Sequence, residues 1–156
     1  MLTFHIILSE WGQGIKWTSL RQGLLLARSD SKPMMVIVQN NQCQKCSSLK
    51  QSFSINHTIQ KLSRNFVMIC LNQDEVPVKT LPADGKNTPM VLFFQPGGKL
   101  LDNINSDAKD NDHRYTYTNV QPILVSMRQT LKQLNIAPMS SPSTRRKVTQ
   151  ARTSMN

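Results

Sequence analysis

An α/β sheet covered on both faces is the fold class that the sequence predicts, on three observations. Two short apolar runs, Met34 to Gln39 and Phe66 to Leu71, read as buried strands, and segments of helical period lie around them. A turn signal, Gln95-Pro96-Gly97-Gly98, separates two further apolar runs. An amphipathic stretch closes the order. Strand–helix–strand units followed by a hairpin and a terminal helix give such a sheet.

Thr18 or Ser19 suits the cap of a first helix, with Leu20, Leu24 and Ala27 recurring at +4 and +3 as its apolar face. Pro33 closes that helix after the polar Arg28-Ser29-Asp30-Ser31-Lys32. Met34 to Gln39 is the predicted central strand, and Asn40-Asn41-Gln42 leads from it straight into Cys43. Beyond that cysteine, Cys46, Leu49 and Phe53 fall at +3 and +4, the stripe of a second helix. Asn56 is a plausible cap for a short third helix with Ile59 and Leu62 inward. Phe66 to Leu71 follows as a strand, then a polar, proline-containing loop over 72–86. Met90 to Phe94 and Lys99 to Ile104 are expected to form an antiparallel hairpin. The last helix begins near Pro122 and turns Leu124, Met127, Leu131 and Leu134 to one side.

Length and composition exclude several classes. A chain of 156 residues, 38% hydrophobic, fits one domain with a tail. No apolar run approaches the roughly 18 residues that a membrane span needs. The net charge of +10 is partly a tail effect, since Arg145, Arg146, Lys147 and Arg152 follow Pro138 with no acid among them. The remaining cations are scattered among acids, without the aromatic-rich basic stripe of a nucleic-acid surface. No specific nucleic-acid partner is expected. Residues 1–9 are an apolar segment, read either as the stub of a truncated signal or as the first ordered piece of the chain. Residues 10–137 form the domain. Residues 138–156, rich in Pro, Ser, Thr and basic side chains, are expected to be a disordered tail.

Three cysteines cannot all pair within one chain, and Cys70 sits inside an apolar run. Cys43 and Cys46 are spaced as C-x-x-C. Placed at a helix start and one turn on, their sulfurs come close enough to bond. The first thiol then faces unpaired backbone N–H groups and the positive helix end, which favour the thiolate. Lys45 adds a positive charge that solvent largely screens. Thiol–disulfide exchange follows, with Cys43 the nucleophile and Cys46 the resolving thiol. A chance motif, a structural bridge and half of a zinc site are the competing readings. Zinc would need further ligands, and no second C-x-x-C or H-x-x-x-H is present. No metal and no cofactor are expected.

Thr88-Pro89 lies immediately before a strand. An ordinary strand-entry proline would need no comment. With the cysteine pair upstream, a cis bond there would turn the Thr88 backbone towards the sulfurs, where it could pair with an extended substrate. Asn56-His57-Thr58 matches the glycosylation sequon, although Asn56 has the competing role of a cap. Tyr115 and Tyr117 read as packing residues, and His113 as a surface residue without an obvious partner.

From Trp11 to Leu134, about four fifths of the chain, the sequence resembles the small endoplasmic-reticulum thioredoxin-like proteins, the group of thioredoxin domain-containing protein twelve and the anterior-gradient proteins. The resemblance runs through Trp11-Gly12, Trp17, Lys32 to Ile37, Cys43 to Lys50 and Ile59 to Met68. It continues in Pro82-Ala83-Asp84-Gly85, Pro89, Leu92-Phe93 and Tyr115-Thr116-Tyr117. It implies a thioredoxin-like fold, a central mixed β-sheet flanked by helices on both faces. It also implies a nucleophilic Cys43, a resolving Cys46 and a cis Pro89 beside them. Thr88, Pro89 and Gln42 are the candidate substrate-binding residues, and Gln44 and Lys45 the candidate modulators of the pair. The activity implied is that of a protein-disulfide oxidoreductase, an oxidase or isomerase rather than a reductase. Client proteins with thiols or disulfides are the expected partners, with glutathione or a second oxidoreductase as a further one.

Three departures from the family pattern stand out. Gln42 occupies the place before the first cysteine where oxidising members usually carry Trp. Ile37 stands six residues before Cys43, where thioredoxin and the disulfide isomerases bury an acid. The chain ends Thr153-Ser154-Met155-Asn156, unlike a Lys-Asp-Glu-Leu retrieval signal. The resemblance implies the endoplasmic-reticulum lumen or secretion. The alternative function on the same fold is non-redox, client-binding and chaperone-like.

Overall fold

A computed structural model of the chain describes residues 10–76 and 87–139. Three sequence readings therefore fall outside the described residues: the apolar segment over 1–9, the stretch Pro82-Ala83-Asp84-Gly85, and the tail from residue 140 on.

Among the described residues, four strands form one mixed sheet in the order β1-β3-β2-β4. They are β1 (Trp17–Thr18), β2 (Met34–Gln39), β3 (Val67–Asn72) and β4 (Met90–Phe94). β1 and β2 both run parallel to β3, and β4 pairs antiparallel with β2. Four α-helices that lie wholly within the described residues accompany them: α1 (Leu20–Asp30), α2 (Gln44–Ser54), α3 (His57–Ser63) and α4 (Val120–Gln133).

Alternation along the strands builds two cores, because successive side chains point to opposite faces. Met35, Ile37, Met68, Cys70, Val91 and Phe93 face one side, with Leu49 and Phe53 of α2, Ile59 of α3 and Leu124, Met127 and Leu131 of α4. Met34, Val36, Val38, Val67, Ile69, Leu71, Met90 and Leu92 face the other, with Ala27 of α1. Helices thus cover both faces, as the sequence predicts.

The caps follow the sequence too. Ser19 caps α1 by accepting the Gln22 N–H at 3.2 Å, and Asn56 caps α3 by accepting the Ile59 N–H at 2.9 Å. Pro122 lies in the first turn of α4, where its missing N–H costs nothing.

Three expectations need correction. The inward face of α1 is Gly23 and Ala27, whereas Leu24 is 40% exposed and lines an apolar groove with Leu20, Val76 and Phe94. The reason is close approach: a Cβ on Gly23 would lie 2.5 Å from Ile69 Cδ1, so the glycine sets how near α1 packs to β3. The second hairpin arm shrinks to a single bridge, Phe94 with Leu100, although the turn forms with Gln95 N–H donating to Lys99 O at 2.8 Å. The Leu101 N–H donates to Phe93 O at 2.8 Å as the last ladder bond. Beyond it the polar Asp102, Asn103 and Asn105 favour turns over pairing, while the Leu101 and Ile104 side chains are buried in the core. His113 has a partner after all, since its Nδ1 lies 2.8 Å from Asp110 Oδ1 on the surface. Tyr115 and Tyr117 are buried, the latter with its hydroxyl 2.7 Å from Ser126 Oγ.

Candidate active site

β2 ends at Gln39, and the three residues after it form a tight turn. Asn40 Oδ1 accepts the Gln42 N–H at 3.1 Å, and the Asn40 carbonyl accepts the Cys43 N–H at 3.1 Å. Cys43 is thereby delivered in extended conformation as the N-cap of α2. One turn on, Cys46 falls on the inner face, and the two are joined by a disulfide with their Cα atoms 5.1 Å apart.

The pair is asymmetric. Cys46 is 1% exposed, whereas Cys43 is only partly buried. Cys43 Sγ also accepts the Cys46 N–H at 3.0 Å, an N-cap bond with sulfur in place of the usual oxygen. In the dithiol form that N–H and the positive helix end both favour a thiolate at Cys43.

Topology supplies the second wall. Because β4 runs antiparallel beside β2, with Met90 opposite Val38, the start of β4 meets the end of β2. The residues just before β4 therefore reach the cysteines. Thr88-Pro89 is a cis peptide bond, and the Thr88 carbonyl oxygen lies 3.5 Å from Cys43 Sγ. Thr116 braces this segment by donating its hydroxyl to Asn87 O at 2.8 Å, and the Tyr117 N–H donates to Pro89 O at 3.1 Å.

Of the candidate residues, the structure brings Cys43, Cys46, Thr88 and Pro89 together. Gln42 is exposed and lines a polar depression with Asn40, Asn41, Asn72, Gln73 and Asp74. Gln44 and Lys45 are exposed on the first turn of α2 and share a shallow depression with Ser48 and Thr118. Cys70 stands apart in β3, where burial pushes its thiol up to about 12. Among the described residues no group of His, Cys, Asp and Glu could hold a metal ion.

Sequence reasoning did not anticipate the polar chain beneath the turn. Gln39 is 1% exposed, accepts the Trp11 indole N–H at 2.7 Å and donates to Asn72 Oδ1 at 3.2 Å. Asn72 in turn donates to Glu75 Oε1 at 3.3 Å. The signal was the parity of Gln39, a carboxamide on the same face as Met35 and Ile37.

A family model described as thioredoxin-like matches residues 16–96. The chain belongs to the thioredoxin-like family. Within it, the chain is similar to the anterior gradient proteins, in keeping with the resemblance read from its motifs. Anterior gradient protein 3 of Mus musculus is 31% identical over 124 residues, covering 78% of this chain and 74% of that one. Anterior gradient protein 2-B of Xenopus laevis is 29% identical over 124 residues with the same coverage. Among solved structures, a thioredoxin from Thermus thermophilus superposes with a TM-score of 0.52 at 18% identity, over 76% of this chain and 88% of that chain. That likeness concerns the fold.

Proposed function

We propose that this chain is a thiol–disulfide oxidoreductase of protein clients, working through Cys43 and Cys46. The observation that carries the reading is the asymmetry of the pair, one sulfur reachable and capped by a backbone N–H, the other buried behind it. Cys43 thiolate attacks a client disulfide: a Cys43–client S–S bond forms, the client S–S bond breaks, and the departing client thiolate takes a proton. Cys46, as thiolate, then attacks the Cys43 sulfur and releases the second client thiol. The pair ends oxidised and the client reduced. Run in reverse, a client dithiol is oxidised and the pair is reduced.

An extended client segment laid beside Cys43 meets Thr88 and Pro89, and Gln42, exposed just before the cysteine, is within the same stretch of surface for it to contact. Gln44 and Lys45, exposed between the two cysteines, modulate the pair through local charge and solvation. Oxidation or isomerisation within the secretory pathway is the direction proposed, from the resemblance to anterior gradient proteins. Glutathione or a partner oxidoreductase then resets the pair. The test is turnover with a disulfide-bonded client. Cys43→Ser is expected to abolish it and Cys46→Ser to accumulate mixed disulfides; retained turnover in the Cys43 variant would reject the assignment.

A further inference from the structure

The turn between α2 and α3 carries the only Asn-X-Ser/Thr triplet in the sequence, Asn56-His57-Thr58. Asn56 caps α3 through its oxygen alone, Oδ1 accepting the Ile59 N–H at 2.9 Å. Among the described residues its amide nitrogen, Nδ2, makes no hydrogen bond. The two atoms therefore have separable roles. Attachment of a sugar consumes one N–H of Nδ2 and leaves Oδ1 in place, so the helix cap survives the modification.

The surroundings fit a sugar as well. His57 and Thr58 are exposed, and Ile55, immediately before the acceptor, is the most exposed large apolar side chain among the described residues at 74%. The cysteine pair sits at the other end of α2, about 15 Å away at 1.5 Å rise per residue, so the redox face stays open.

We propose that Asn56 is an N-linked glycosylation site, an inference that rests on the secretory compartment proposed above. The donor is a polyprenyl-diphosphate-linked oligosaccharide. Asn56 Nδ2 attacks the anomeric carbon, forming the C–N bond, and the bond from that carbon to the diphosphate oxygen breaks. The diphosphate leaves with the electron pair, and a transferase base takes the Nδ2 proton. No oxidation state changes.

The test is translation of the full chain with endoplasmic-reticulum microsomes, as it stands and behind a cleavable signal sequence. Protease protection and an endoglycosidase-sensitive mass step are scored together. Behind the signal, a protected chain with one such step is expected. Asn56→Asp, which keeps the cap oxygen but lacks the nitrogen, and Thr58→Ala both lose the step, whereas Thr58→Ser keeps it. A protected chain without the step overturns the glycosylation site. A step that survives Asn56→Asp overturns it equally. Lack of protection for the chain as it stands counts instead against the compartment reading.

Discussion

The Trp11 indole N–H donates to the Gln39 side-chain oxygen at 2.7 Å, a buried bond across 28 residues of sequence. It ties the segment before β1 to the end of the strand that delivers the cysteine turn. Both partners are shut off from water, so removing one leaves the other unsatisfied. Gln39→Leu is expected to lower unfolding free energy by about 1–3 kcal/mol, the usual cost of an orphaned buried polar group. Urea unfolding followed by tryptophan fluorescence measures it. An unchanged midpoint would show that the bond contributes nothing net.

Gly23 reverses the ordinary helix rule. Gly→Ala inside a helix normally stabilises by about 1 kcal/mol. Here the new Cβ meets Ile69 Cδ1 at 2.5 Å and Val67 Cγ1 at 3.3 Å. Gly23→Ala is therefore expected to destabilise, by about 1–3 kcal/mol as overpacking does. Ile69→Val removes the clashing methyl, so the double variant is expected to be less damaged than the sum of the two. Additive losses in a double-mutant cycle would contradict the contact.

Cys70 and Tyr117 set an alkaline limit. Burial pushes the thiol from 9.0 to about 12 and the phenol from 10.0 to about 12. Folding favours the protonated form of each, so their contribution is intact below the unfolded values and is lost as pH rises from about 9 towards 12. The urea midpoint of the wild type is expected to hold from pH 7 to about 8.5 and to fall above pH 9. With Cys70→Ala and Tyr117→Phe combined, the fall should be shallower. An equal slope would assign the alkaline loss to other groups.

The same burial makes Cys70 a silent thiol. In the reduced native protein at neutral pH, a disulfide reagent is expected to label Cys43 quickly and Cys70 only after denaturant is added. Mass counting of labelled cysteines decides it, and rapid native labelling of Cys70 would contradict its burial in β3.

Much of this was legible in the chain because the governing interactions are local. Cys43 and Cys46 declare themselves by spacing, Ser19 and Asn56 by capping chemistry, and β2 and β3 by their continuous apolar runs. β1 was not, since two residues, Trp17 and Thr18, carry no period and pair with β3 only once the sheet exists. Leu24 misled for a related reason. Helical spacing gives the face, but the distance between α1 and β3 is a tertiary quantity, and it favoured Gly23 over leucine. Lys99 to Ile104 follows a clear turn signal, yet Asp102 and Asn103 end its pairing with β4 after Leu101, and the Ile104 side chain is buried in the core. In the site, the turn and the helix start are readable from 40–46. The approach of the Thr88 carbonyl to Cys43 depends on β4 lying antiparallel beside β2, which no local pattern states.

Cys43 and Cys46 are expected to form a reversible redox couple, which a glutathione titration of the protein measures. Free thiols are trapped at each buffer potential and counted by mass. Two thiols are expected to appear and vanish together, with a midpoint of about −180 to −230 mV, among exchange catalysts of oxidising compartments. A midpoint near −270 mV would keep the couple but make it a thioredoxin-like reductant. Absence of any reversible Cys43–Cys46 disulfide would contradict the redox assignment itself.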